Sequence, residues 1–101
     1  HFRPMTTVKI NPILKPLIPD FLQNRKTDVA DIKAALQGND FEAIRITGHN
    51  LRGCGSGYGF HPITDIGEVI EKAATNQDSP AIATALTELS EYLESVNPVY
   101  E

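Results

Sequence analysis

Apolar residues along this chain recur mostly at steps of three and four, the spacing of one face of an α-helix. The clearest run is Ile82, Leu86, Leu89, Leu93 and Val96, with steps of four, three, four and three. Ser79-Pro80 before it reads as a cap followed by a first helical proline, and Asn97-Pro98 stops it. Ile63, Ile66, Ile70 and Ala73 or Ala74 describe another amphipathic helix, ending near Asn76. From Pro19 to Gln37, Leu22, Val29, Ile32 and Leu36 fit one face of a third. Gly38 stands where a helix-ending glycine belongs, and Asn39 with Glu42 fits a capping box opening the next helix. Upstream, Pro4, Pro12, Pro16 and Pro19 forbid a long helix. Asn11-Pro12 opens a short helical turn there, and Thr7–Ile10 is a strand-like run.

The segment from Phe41 to Gly59 reads two ways. Phe41, Ile44, Gly48, Leu51, Gly55 and Tyr58 form a helical stripe, yet Ile44 and Ile46 alternate with Arg45 and Thr47 as in a strand. Gly53, Gly55, Gly57 and Gly59 follow in alternation. Each glycine inside a helix costs roughly 0.5–1 kcal/mol relative to alanine, so a demand other than local propensity explains the run. Three or four helices with short connections and almost no strand predict an all-α, up-and-down antiparallel bundle.

The 101 residues suit one domain. A net charge of −4 disfavours nucleic acid and anionic membranes as partners, because both need a basic surface. One cysteine excludes a disulfide framework and a cysteine-rich zinc site. No apolar run approaches the roughly 20 residues that span a bilayer, and no signal peptide is visible, so a cytoplasmic setting is expected. The start at His1-Phe2 suggests a piece cut from a longer polypeptide.

A phosphate-binding loop does not account for the glycines. A P-loop needs a Gly-Lys-Ser/Thr ending, and no lysine follows any of them; a dinucleotide fingerprint needs a parallel sheet that this chain cannot assemble. Small residues instead thin one side of a helix so that another backbone comes close. On a helical projection the core stripe centres on Gly48, Leu51 and Gly55, and His49 lies about 125° away on the solvent side. Arg45, Arg52, Gly53 and Ser56 share its face. On its own, an exposed histidine near arginines is an ordinary solvated helix face. The combination with a glycine-thinned side suits one chemistry. A neutral imidazole carries a phosphoryl group on nitrogen, and arginines offset its roughly −1.5 to −2 charges. Gly53 leaves the donor's approach unobstructed, and exposed Ile46, one turn before His49, offers an apolar anchor for a partner.

The string Gly48-His49-Asn50-Leu51-Arg52-Gly53-Cys54-Gly55-Ser56-Gly57-Tyr58-Gly59-Phe60 resembles the phospho-acceptor motif of histidine-containing phosphotransfer (HPt) domains. Ile18-Pro19-Asp20-Phe21-Leu22, Ala35–Asp40 and Ile66-Gly67-Glu68 with Ala73-Ala74 extend the likeness over roughly residues 10–100. The resemblance implies a four-helix bundle over residues 11–98 with a short N-terminal helical segment, and tails at 1–10 and 99–101. It implies that His49 is phosphorylated and that Gly53 admits a receiver domain. Arg52 stands where the family usually has lysine. Glu71 falls where members often carry Gln or Glu able to hydrogen-bond the active imidazole. The expected role is a monomeric phosphocarrier without turnover of its own. It serves receiver domains of response regulators or hybrid sensor kinases and needs no cofactor, since the receiver brings the Mg²⁺. The alternative is a helical module that binds a receiver or kinase without carrying phosphate. His61 reads as a connector before Pro62 and Cys54 as a small packing residue. His49, Cys54 and His61 together lack metal-ligand spacing.

Overall fold

The structure is a computed structural model that describes residues 5–101, so Pro4 and the first part of the expected N-terminal tail lie outside the described residues. In chain order it comprises β1 (Thr6–Ile10), a 3-10 turn (Pro12–Leu17), α1 (Ile18–Gln37) and α2 (Phe41–Cys54). A second 3-10 turn (Ser56–Tyr58), α3 (His61–Thr75), α4 (Ser79–Ser95) and β2 (Val96–Tyr100) follow. The four long helices form the bundle, and the Asn11 side chain caps the first 3-10 turn by accepting from the Ile13 N–H.

The α1–α2 and α3–α4 connections solve the same problem identically. Each chain reversal uses one residue in the left-handed region, Asn39 (φ 54°) and Gln77 (φ 53°). The N–H groups of Asn39 and Asp40 return to the carbonyls of Leu36 and Ala35, at 3.2 and 2.9 Å. Those of Gln77 and Asp78 return to Ala74 and Ala73, at 3.1 and 2.8 Å. Paired returns of this kind satisfy carbonyls that a helix end leaves orphaned. The next residue is an aspartate in both cases, and it caps the following helix by accepting from Ala43 N–H (3.1 Å) or Ala81 N–H (3.2 Å). Both expected caps therefore move by one position, from Asn39 to Asp40 and from Ser79 to Asp78. The left-handed turn consumes Asn39, and Ser79 is already helical.

The α4 stripe is buried as the spacing predicts, with Ile82, Leu86, Leu89, Leu93 and Val96 all in the core. On α1 the buried face is instead Ile18, Phe21 and Ile32, and Leu22, Val29 and Leu36 are only partly covered. Phe21 sets that rotation by stacking on Tyr58 (4.2 Å between centroids) and Phe60 (5.6 Å). The ambiguous segment is helical as far as Cys54. The glycine run is mostly its exit, since only Gly53 lies inside α2 and Gly59 takes φ 95°.

Residues 6–10 and 99–100, expected as tails, pair with each other. β1 and β2 lie parallel in register from Thr6↔Val96 to Ile10↔Tyr100, with the whole bundle as their crossover. Pro98 keeps the chain beyond α4 from continuing as helix. Ile10 is 1% exposed, so burial of its side chain draws the first strand onto the bundle.

Candidate functional site

The site sits on the α2–α3 seam, where glycines let two backbones touch. A Cβ on Gly48 would stand 2.8 Å from the Glu71 backbone nitrogen and 2.9 Å from Ile70 Cγ2. A Cβ on Gly67 would collide with the Arg52 backbone nitrogen and lie 2.8 Å from Leu51 Cβ. Leu51 and Ile70 are fully buried at this crossing. The approach is close enough for a side chain one residue past Gly48 to reach α3.

That side chain is His49. Its Nδ1 lies 3.0 Å from Glu71 Oε2, and Glu71 Oε1 forms an ion pair with Arg52, 3.3 Å from its Nε. A carboxylate only accepts, so the proton of this contact resides on Nδ1, and the assignment follows from the partner. Arg52 Nη2, 3.4 Å from the same nitrogen, is then a neighbour and not a donor to it. In the neutral form of the ring this tautomer leaves Nε2 with a free lone pair. The imidazole is 56% exposed, whereas the Glu71 side chain that holds it is 19% exposed. A half-buried carboxylate thus orients a solvent-facing ring.

Other residues expected at the site divide. Gly53 is open, with nothing described within 4 Å of a Cβ built there, and Ile46 is 47% exposed. Arg45 turns away from His49 and grips Glu42 in two hydrogen bonds, at 2.6 and 3.1 Å. These bonds, together with the opposite charge of each partner, raise the Arg45 pKa and lower that of Glu42. Ser56 leaves the His49 face because α2 ends at Cys54, where the projection assumed a continuing helix. Its hydroxyl instead meets Thr64 Oγ1 at 3.0 Å and His61 Nδ1 at 3.2 Å. His61 is therefore the first residue of α3, not a loop connector. Thr64 had no signal in the sequence, being one hydroxyl on a helix whose partners come from another element.

Cys54 packs partly buried beneath the site and accepts from Arg25 Nη1 at 3.2 Å, while Arg25 also lies 4.7 Å over the Phe21 ring. Burial pushes the Cys54 thiol pKa up, outweighing the opposing pull of Arg25. His49, Cys54 and His61 each contact a different side chain, Glu71, Arg25 and Ser56, and no group of three metal-ligating side chains converges among the described residues. A groove lined by Val29, Leu36 and Leu86 lies elsewhere, between α1 and α4. No described helix is long and apolar enough to cross a membrane.

A family model described as Hpt domain matches residues 16–97. No match to the chain is found among curated proteins or among solved structures.

Proposed function

The chain belongs to the Hpt domain family, whose members act in histidine phosphotransfer with receiver domains, and from that premise we propose that His49 is its phosphoryl acceptor. The observation that carries this reading is the 3.0 Å contact from Nδ1 to Glu71, which in the neutral ring puts the proton on Nδ1 and the lone pair on Nε2, one turn from the open surface at Gly53. In the forward step the Nε2 lone pair attacks phosphorus of an aspartyl phosphate on the receiver. The N–P bond forms as the P–O bond to the aspartate breaks, and that electron pair leaves on the carboxylate. The Nδ1 proton stays in place, so the phosphorylated ring is cationic and faces the Glu71 carboxylate. Donation to a second receiver reverses the bookkeeping: its aspartate oxygen attacks phosphorus and the N–P pair returns to Nε2.

Each neighbour has a part in that step. Glu71 orients the ring and stabilises the cation that develops on it, as a carboxylate does for an imidazole elsewhere. Arg52 holds Glu71 and places positive charge one helical turn from the phosphoryl. Gly53 lets the receiver's loop descend to in-line distance, and Ile46 supplies an apolar contact for docking. Mg²⁺ and the second nucleophile come with the receiver, so the domain is a carrier without turnover of its own. The carrier unit spans residues 11–98 and works as a monomer in the cytoplasm.

Incubation with a phosphorylated receiver and Mg²⁺ tests this reading. Acid-labile phosphate is expected on His49 in the wild type and absent in a folded His49→Gln variant. A module that only docks receivers takes no label in either protein. Label persisting at the wild-type level in His49→Gln contradicts the assignment.

A further inference from the structure

The last turn of α2 carries Arg52 and Gly53, yet the sequence gives it little reason to stay helical. Gly53, Gly55 and Gly57 follow one another at alternate positions, and each weakens a helix. In an uninterrupted helix the Ser56 N–H would return to the Arg52 carbonyl. Here a third group stands between them. The Thr64 hydroxyl, from the first turns of α3, accepts from Ser56 N–H at 2.8 Å and donates to the Arg52 carbonyl at 3.0 Å. It also accepts from the Ser56 hydroxyl at 3.0 Å. One donor and two acceptor sites are all that a hydroxyl has, so Thr64 Oγ1 is fully used.

The directions along this network are consistent. With the Ser56 hydroxyl donating to Thr64, its oxygen accepts from His61 Nδ1–H at 3.2 Å. The chain then runs His61, Ser56, Thr64 and the Arg52 carbonyl, with every donor pointing the same way. Gly55 supplies an independent observation. A Cβ there would stand 2.8 Å from Thr64 Oγ1 and 2.6 Å from the Thr64 backbone nitrogen. The missing side chain makes the room that the inserted hydroxyl occupies.

We propose that Thr64 is a positioning residue for phosphoryl transfer: its hydroxyl, inserted between the Arg52 carbonyl and the Ser56 N–H, fixes the last turn of α2 and thereby aims Arg52 at Glu71. The inference rests on the phosphocarrier reading and adds a residue to it. Thr64 touches neither the imidazole nor the approaching phosphoryl group and acts only through the backbone of Arg52. Without the hydroxyl, the Arg52 carbonyl and the Ser56 N–H lose their partner, and the glycine-rich turn frays. The Arg52–Glu71 contact then loosens, although the buried α2–α3 seam remains intact.

Thr64→Val keeps the shape and removes the donor and acceptors, and Thr64→Ser restores them. Transfer from a phosphorylated receiver is measured per folded molecule at saturating receiver, with receiver affinity measured separately. Thr64→Val is expected to slow transfer about fivefold or more at unchanged affinity, as a misplaced group does, with Thr64→Ser within about twofold of wild type. Amide exchange at Ser56 should accelerate in Thr64→Val, and the Arg52 side-chain Nε–H resonance should lose its carboxylate-bound shift. Where Thr64→Val does not fold, Ser56→Ala removes one of the three bonds at an exposed position and should slow transfer by about twofold. Equal transfer by Thr64→Val and Thr64→Ser, with the Arg52 Nε–H signal unmoved, overturns the proposal. The Arg52 and Ser56 signals need no phosphoryl group, so they report on Thr64 even if His49→Gln shows that the acceptor is another residue.

Discussion

Along the α2–α3 seam, Gly48, Gly55 and Gly67 bring backbone against backbone, whereas along the α1–α4 seam Val29, Leu36 and Leu86 border an open groove of about 450 Å³. Both seams belong to one bundle and bury apolar side chains, but they deliver different precision. Where backbones touch, the position of one helix fixes the other to within the tolerance of a Cβ contact, and interiors packed that closely do not deform gradually. His49 and Glu71 come from the two sides of that tight seam and meet at 3.0 Å. Around the wider groove, longer side chains can adjust without moving the backbone. The proposed phosphoryl acceptor and the carboxylate that holds it both sit on the tight seam, away from the wider groove.

The contrast can be broken by filling each seam. Gly67→Ala places a methyl against the backbone nitrogen of Arg52 and should cost about 2–3 kcal/mol in urea unfolding, the upper end of overpacking. Ala83→Leu, on the exposed lip of the α1–α4 groove, should change stability by less than about 0.5 kcal/mol. Similar losses for both would remove the distinction between the seams. Gly53→Leu sharpens it, because Gly53 lies on the tight seam's helix but faces open space. Leucine should raise stability slightly, by up to about 0.8 kcal/mol on helix propensity, while transfer from a phosphorylated receiver falls tenfold or more. A more stable variant that transfers at the full rate would show that close approach at this position is irrelevant. The smallest effect concerns Cys54, beneath the site. Burial raises its thiol pKa, so less thiolate is present at a given pH than in an unburied cysteine. Its alkylation between pH 7 and 8 should run severalfold slower than that of a cysteine in an unfolded peptide, and equal rates would contradict that burial.

Much of this was legible in the residue pattern. The α4 stripe, the helix-starting prolines and the solvent-side position of His49 follow from period and steric rules that act within one element. What was not legible depends on contacts between elements. The rotation of α1 comes from Phe21 stacking on Tyr58 and Phe60, which lie far along the chain. The caps moved to Asp40 and Asp78 because a left-handed residue was needed first, and Asn and Asp both satisfy the local rule. Ser56 left the His49 face because Thr64 intercepts the helical hydrogen bond, which no helical projection contains. The β1–β2 pairing joins segments about 90 positions apart, and a run such as Thr7–Ile10 says nothing about its partner.

The proposed nucleophile depends on the tautomer of His49, and ¹⁵N-resolved NMR of its ring reads that directly. With Glu71 accepting at 3.0 Å, the neutral ring is expected to carry its proton on Nδ1, and a phosphorylated sample should show the N–P linkage at Nε2. Glu71→Gln should weaken that preference, since an amide accepts less strongly than a carboxylate. A wild-type ring protonated mainly on Nε2, unchanged by Glu71→Gln, would contradict the claim that the tight seam prepares the nucleophile.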